Sequence, residues 1–342
     1  MRAFITGVAG PALTDPERDF LRAAQPWGLI IFRRNAASPD QLRGLIGEMR
    51  DVLGRPAPVL IDQEGGRVQR LGPPQWPAYP PGAAYGAVYD RDRAQGLAAA
   101  RLGARLIAAD LFELGIDVDC LPLADVPVAG ADLIVGDRAY GSEPGKVAAI
   151  AAAVAHGLEE GSVLPVLKHI PGHGRAGADS HKMLPVVGTD RATLEATDFA
   201  AFAALSDLPL AMTAHVVFTA IDPVAPATVS ATIVSEVIRG SIGFDGLLMS
   251  DDISMQALSG TVGERARAAI AAGCDVVLHC NGDMNEMAAV AAEVPELAGE
   301  AVRRADAALA LRKAPAPFDR AAGRTEFFRL MAGAWQPAEP NA

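Results

Sequence analysis

A chain of 342 residues is long enough for two ordinary domains or for one large α/β barrel. Half of the residues are hydrophobic and 21% charged, which excludes intrinsic disorder, and the 34 glycines and 25 prolines follow no period, which excludes collagen-like and low-complexity architectures. The balance of 30 basic against 41 acidic residues gives −11 with no Lys/Arg cluster, so no nucleic-acid partner is expected.

Short β-prone runs recur along the chain, each followed by a helical pattern. Strands are expected at residues 3–8, 28–32, 58–62, 117–122, 164–169, 208–215, 246–251 and 275–280. Helices are expected at 15–24, 38–53, 92–114, 144–160, 190–205, 230–239 and 262–272, with 284–292 and 296–311 after the eighth strand. Thr14 and Glu17 have capping-box spacing, and Ser38-Pro39 places an N-cap before a first-turn proline. The strands are continuously apolar, as in a parallel sheet covered on both faces. Eight such units fit a single (β/α)8 TIM-like barrel over residues 1–312. A doubly wound open sheet competes, but the first strand lacks a glycine-rich dinucleotide loop, Gly7 to Gly10 being too sparse. Residues 313–342, rich in Pro, Ala and Gly, are expected to pack on the barrel or to fray.

The first eleven residues show no signal-peptide pattern, and Arg101, Arg105 and Asp110 interrupt the alanine-rich stretch 97–114, which reads as a soluble helix rather than a membrane span. Cys120, Cys274 and Cys280 are odd in number and set in apolar runs, which reads as buried thiols in a reducing compartment. A cytoplasmic protein is expected, with no membrane partner.

In a barrel the C-terminal strand ends line the active-site mouth. Here they are polar: Asp62-Gln63-Glu64, Lys168-His169, His215, Ser250-Asp251-Asp252 and His279-Cys280-Asn281. Any one of these reads as a capped strand end; five together read as a site. The densest stretch runs from Lys168 to His181, with three histidines (His169, His173 and His181) and a lysine around glycines and a proline. Asp179 and His181 are two apart, so in an extended loop both side chains fall on one side, and the carboxylate would fix the imidazole tautomer for proton transfer. Asp251 reads as a nucleophile, a metal ligand or an N-cap, the last suiting Asp252 or Ser254 better. Lys168 as a Schiff-base lysine would leave Asp62, Arg70 and the Asp179/His181 pair without work. A metal site at His169, His173, Asp179 and His181 lacks helical i,i+4 spacing and a separated third ligand, so no metal and no cofactor is expected.

Three stretches carry a resemblance: Ile61-Asp62-Gln63-Glu64-Gly65-Gly66-Arg67-Val68, the Lys168 to His181 loop, and Met249-Ser250-Asp251-Asp252-Ile253-Ser254-Met255. Together they resemble glycoside hydrolase family 3, and within it the bacterial β-N-acetylglucosaminidases, over about residues 28–281. The resemblance implies Asp251 as nucleophile, His181 as general acid/base with Asp179 as its dyad partner, and Asp62, Arg70, Arg138, Lys168 and His169 as sugar-binding residues, with His173 in the mobile catalytic loop. It implies a retaining mechanism on terminal, non-reducing β-linked N-acetylglucosamine of cell-wall fragments bearing 1,6-anhydro-N-acetylmuramic acid, with or without peptide. It also implies a barrel without the second sandwich domain of larger family members. Arg175-Ala176 stands where many relatives have Asp-Thr, and Trp76 and Tyr140 where phenylalanine is common. A phosphorylase using the same site and a catalytically silent carbohydrate-binding barrel are the alternatives; intact Asp251, Asp179 and His181 argue against the second.

Overall fold

The structure is a computed structural model and describes residues 1–337. Eight parallel strands close into a barrel: β1 (Arg2–Thr6), β2 (Pro26–Ile31), β3 (Val59–Ile61), β4 (Val118–Asp119), β5 (Leu164–Ile170), β6 (Leu210–Thr213), β7 (Leu247–Asp252) and β8 (Val276–His279). Each strand pairs with the next in sequence, and β8 returns to β1, with Thr6 opposite His279. The expected barrel is therefore the observed one. Nearly every strand residue is buried, as the unbroken apolar runs require when side chains face both a filled interior and an outer helical layer.

That outer layer comprises α1 (Asp15–Ala24), α2 (Pro39–Leu53), α3 (Gly82–Arg91), α4 (Arg93–Phe112), α5 (Pro144–Glu160), α6 (Arg191–Ala196), α7 (Asp198–Ala203), α8 (Val262–Ala272), α9 (Met284–Glu293), α10 (Gly299–Ala310) and α11 (Arg320–Met331). Three helices, α1, α5 and α8, have the bounds expected from sequence. The Thr14/Glu17 capping box forms, and Ser38 Oγ caps α2 by accepting from the Gln41 N–H. Among the described residues no helix is long and apolar enough to cross a membrane.

Several expectations differ from what forms. The run 117–122 gives only the two-residue β4, because the Leu121 N–H turns back to the Asp119 carbonyl at 2.8 Å instead of joining a neighbouring strand. The helix expected over 190–205 breaks at Thr197, whose hydroxyl bonds back to the Thr193 carbonyl at 2.6 Å while Asp198 turns inward to Arg175. The segment expected at 230–239 is helical from Ile233 to Ser241, with i→i+5 hydrogen bonding. Two further helices appear. In α11 Phe327 packs against Tyr85, and the Leu330 carbonyl accepts from Gln95 Nε2 at 2.6 Å, so this helix covers α3 and α4. In α3, glycines 82 and 86 hide a helix that reads as loop.

Those two glycines have a packing reason. A Cβ on Gly82 would lie 2.0 Å from the Arg138 carbonyl oxygen, and one on Gly86 would lie 2.1 Å from that of Tyr140. Segment 138–140 thus rests directly on the α3 backbone, and its height above the barrel mouth is set there. At the opposite end, anions at strand starts hold the base: the partly buried Asp117 takes Arg50 and Arg312, and the buried Asp275 takes Arg239 and Arg304.

Helix propensity alone predicts that Gly86→Ala stabilises by about 1 kcal/mol. The close approach reverses the sign, and overpacking against backbone should cost about 1–3 kcal/mol. Gly44→Ala, in mid-α2 with nothing within 4 Å of the new Cβ, is the control and should stabilise. Urea unfolding of both variants checks this; a gain in both would refute the packing argument.

Candidate active site

The polar strand ends meet at the C-terminal mouth around a buried charge cluster. Asp62, following β3, bonds Lys168 Nζ through Oδ1 at 2.9 Å and Arg70 Nη2 through Oδ2 at 2.8 Å. Glu64, in the short hairpin beyond Asp62, takes the Arg138 guanidinium in a two-pronged pair at 2.9 and 2.8 Å, and its Oε1 lies 2.6 Å from Lys168 Nζ. The Lys168 side chain is 2% exposed and that of Glu64 4%, so these charges persist only because they pair. Burial pushes the Glu64 carboxyl up, but Arg138 and Lys168 overcome that and hold it at about 2. The same contest, with Lys168 and Arg70 as the cations, leaves Asp62 far below the carboxylate range. Its two cations thus keep Glu64 ionised.

Beside Lys168, the His169 ring bonds through Nδ1 to Asp125 Oδ2 at 2.7 Å. The other Asp125 oxygen accepts the N–H groups of His173 at 2.7 Å and His169 at 3.3 Å. Burial raises the Asp125 carboxyl, and the two histidines bring it down to about 2. Asp125 is fully buried in the loop after β4, and sequence reasoning passed over it. Its signal was available: a lone carboxylate in the apolar run Leu121-Pro122-Leu123-Ala124-Asp125-Val126.

Asp251 ends β7. Its Oδ1 accepts the Asp252 N–H at 2.8 Å, and its own N–H donates to Thr213 Oγ1 at 3.3 Å. Burial raises its carboxyl, while His215, His169 and the Asp252 N–H outweigh that and bring it below the ordinary value. Asp252 caps no helix: it accepts from the Ser254 N–H and hydroxyl at 3.1 and 2.6 Å within a turn, and the next helix, α8, is capped instead by Thr261. Three polar strand-end residues turn away to structural bonds. His215 bonds the Asp252 carbonyl and Thr228, Ser250 Oγ accepts from the Leu278 N–H, and His279 reaches Glu286.

The Asp179–His181 contact is present, with Asp179 Oδ1 to His181 Nδ1 at 2.9 Å. It arises in a tight turn rather than an extended strand: the N–H groups of Lys182 and Met183 donate to the Asp179 carbonyl, and that of His181 to Asp179 Oδ1. Arg175, where relatives differ, anchors the loop by donating to Asp198 and Thr197 at 2.6 and 2.9 Å.

One cavity of about 260 Å³ gathers Asp62, Arg70, Arg138, Lys168, His169, His173, His181 and Asp251, with Phe32, Met212, Met255 and Cys280 as apolar wall. That volume lies just below the roughly 300–1,000 Å³ of drug-sized sites and fits a single sugar unit. Asp179 stands behind His181. The Cys280 thiol is pushed up by burial and is unreactive wall. Among the described residues no group of three or more His, Cys, Asp or Glu side chains is arranged to hold a metal ion.

The family model for the glycosyl hydrolase family 3 N-terminal domain matches residues 8–310. The chain belongs to glycosyl hydrolase family 3. A family 3 relative, the beta-hexosaminidase of Alkalilimnicola ehrlichii, is 41% identical over 281 residues, covering 80% of this chain and 79% of that one. The beta-hexosaminidase of Chromobacterium violaceum is 38% identical over 292 residues, covering 84% and 81%. Native NagZ from Neisseria gonorrhoeae superposes with a TM-score of 0.85 at 30% identity, covering 98% of each chain. Its complex with N-trifluoroacetyl-D-glucosamine gives 0.84 at 30% identity, covering 97% of each.

The charge cluster sets an acid limit on this family 3 barrel. Glu64 and Asp125 stand at about 2 in the folded protein against ordinary values of 4.5 and 3.8. The folded state therefore binds fewer protons than the unfolded one, and the stability this contributes is complete above about pH 5 and lost as pH falls toward 2. Glu64→Gln should destabilise by about 3–5 kcal/mol at neutral pH by leaving the buried Arg138 without a carboxylate and Lys168 with Asp62 alone. It should also flatten the acid slope by about one proton. Urea unfolding at stepped pH checks both; wild-type stability with lost activity would instead make Glu64 a reacting group.

Proposed function

We propose that this family 3 enzyme is a retaining exo-β-N-acetylglucosaminidase. It removes terminal non-reducing β-linked N-acetylglucosamine from peptidoglycan fragments of the N-acetylglucosaminyl-1,6-anhydro-N-acetylmuramic acid type, with or without peptide, in cytoplasmic cell-wall recycling. The observation that carries the reading is a single cavity in which an ionised strand-end aspartate, a carboxylate-paired histidine and a charged hydroxyl-binding cluster face the same space. The likeness to beta-hexosaminidases, and to a NagZ that binds an N-acylated glucosamine, supports the sugar. The compartment is supported by three buried free thiols.

Each residue then has a role. Lys168, Arg70, Asp62 and Arg138 bind sugar hydroxyls by charge-assisted hydrogen bonds, and His169, turned by Asp125, bonds the same ring. Asp251 attacks the anomeric carbon through Oδ2, Oδ1 being held by the Asp252 N–H. As that bond forms, the bond from the anomeric carbon to the leaving oxygen breaks, and His181 Nε2 gives this oxygen its proton. Burial raises the Asp179 carboxyl, but the His181 N–H and ring together outweigh it and hold it below the ordinary value, so that Asp179 keeps the tautomer and steadies the charged ring. In the second step a water oxygen attacks the anomeric carbon, passes its proton to His181 and releases Asp251. The His181 ring lines the cavity with 61% of its surface still exposed, and a small movement of the turn brings it onto the glycosidic oxygen.

Trapping with a fluorinated sugar should label a peptide containing Asp251, and Asp251→Ala should abolish turnover with the fold intact. Label on Asp252 would overturn the assignment. His181→Ala should lose far more activity on a natural disaccharide than on a nitrophenyl glycoside, whose leaving group needs little protonation, and azide should partly restore the second step. Equal losses without rescue would make His181 structural. Product analysis in phosphate-free and phosphate-containing buffer separates hydrolysis from phosphorolysis; formation of sugar 1-phosphate would overturn the hydrolase reading.

A further inference from the structure

The loop that carries Asp179 and His181 is anchored at both ends by backbone. The Ala176 carbonyl accepts from the Asp132 N–H at 2.8 Å, and the Pro185 carbonyl accepts from the Val217 N–H at 3.0 Å. Between these points, the N–H groups of His181, Lys182 and Met183 bond only within the turn, to the Asp179 carbonyl and carboxylate. Among the described residues, one hydrogen bond ties the span 177–184 to the rest of the protein: Ser180 Oγ with His173 Nε2 at 3.1 Å. Ser180 is 2% exposed, while the His181 ring next to it is 61% exposed. A buried hydroxyl in an exposed turn needs a reason.

His173 is a fixed post for that bond. Its N–H donates to Asp125 at 2.7 Å, and its ring stands edge-on to His169 with centroids 5.7 Å apart. Burial and the neighbouring His169 hold it down to about 4, so the ring is neutral near pH 7. Its Nδ1 is buried without a partner. An orphaned buried N–H is rarer than an orphaned acceptor, so the hydrogen-bond network assigns the proton to Nε2, which donates to Ser180 Oγ.

We propose that Ser180 is a positioning residue, whose buried hydroxyl, clasped by His173, fixes the turn that holds the Asp179–His181 pair over the sugar cavity. The proposal rests on the acid/base reading of His181 and assigns Ser180 no contact with reacting atoms. A line of contacts results: Asp125 sets His173, His173 sets Ser180, and Ser180 sets the turn whose next residue transfers the proton. One bond at 3.1 Å is also weak enough to break when the turn moves, so the clasp selects one position without locking it.

The test measures kcat/KM for Ser180→Ala, His181→Ala and the double variant, together with melting temperatures. The substrates are a β-N-acetylglucosaminyl disaccharide and the nitrophenyl β-N-acetylglucosaminide. Ser180→Ala should lose about tenfold on the disaccharide, the equivalent of one hydrogen bond, and little on the nitrophenyl substrate. In the His181→Ala background it should cost nothing more. Equal loss on both substrates, loss that multiplies with that of His181→Ala, or no loss would overturn the proposal. His173→Phe keeps the ring and removes Nε2; it should shift the ratio between the two substrates in the same direction, and an unchanged ratio would overturn the proposal even if Ser180→Ala fails to fold. If His181→Ala itself does not distinguish the leaving groups, the acid/base reading falls and this proposal with it. If it does and Ser180→Ala does not, only the proposal falls.

Discussion

Lys168 Nζ lies 2.9 Å from Asp62 and 2.6 Å from Glu64, in a place almost without solvent. An ammonium there would lose several kcal/mol of hydration if unpaired. The two carboxylates repay that loss, and each is in turn paired with an arginine, Arg70 on one side and Arg138 on the other. Three cations and two anions thus tie together β5, the segment after β3 and the loop that rests on α3. Withdrawing either carboxylate leaves its arginine uncompensated, whereas Lys168 and each carboxylate keep a second partner when one is lost. The cluster fixes more than its members. With Lys168 held, His169 follows in the chain and meets Asp125; Asp125 then holds His173. The glycine face of α3 matters for the same reason, because it sets the height from which Arg138 reaches Glu64.

The two ends of the barrel divide the work. At the strand starts, Asp117 and Asp275 each pair with two arginines and serve closure alone. At the strand ends, similar carboxylates stand around a cavity. The chemistry of an aspartate is the same at both ends; the open space beside it differs.

Much of this was legible from the sequence because barrel strands write themselves as unbroken apolar runs. The capping box at Thr14 and the proline starts of α2 and α5 are equally local signals. The candidate site residues came from motif resemblance, and the structure brings eight of them to one cavity, with Asp179 behind His181. What escaped was non-local. Gly82 and Gly86 argue against a helix until the Arg138 and Tyr140 carbonyls are seen lying on them. The break at Thr197 depends on Arg175, 22 residues earlier. Asp125 and Ser180 looked ordinary because their meaning lies in His169 and His173, reached through the fold rather than along the chain. His215, Ser250 and His279 misled in the opposite direction: a polar strand end is a necessary mark of the mouth, but its side chain can turn back into the wall.

Closure of the barrel by β8 against β1 has a consequence for how the molecule is made. The first strand leaves the ribosome early, and its partner, with Val277 opposite Phe4, follows more than 270 residues later. At about 5–20 residues per second, β1 spends tens of seconds with one edge bare. Its sequence, Arg2 followed by Ala3, Phe4 and Ile5, offers little to discourage pairing with a stranger. The same holds for α3 and α4, whose covering helix α11 follows more than 200 residues later. A nascent chain of this architecture is therefore a sheet with an open side until β8 is made, and wrong partners can meet that edge for as long as it is bare.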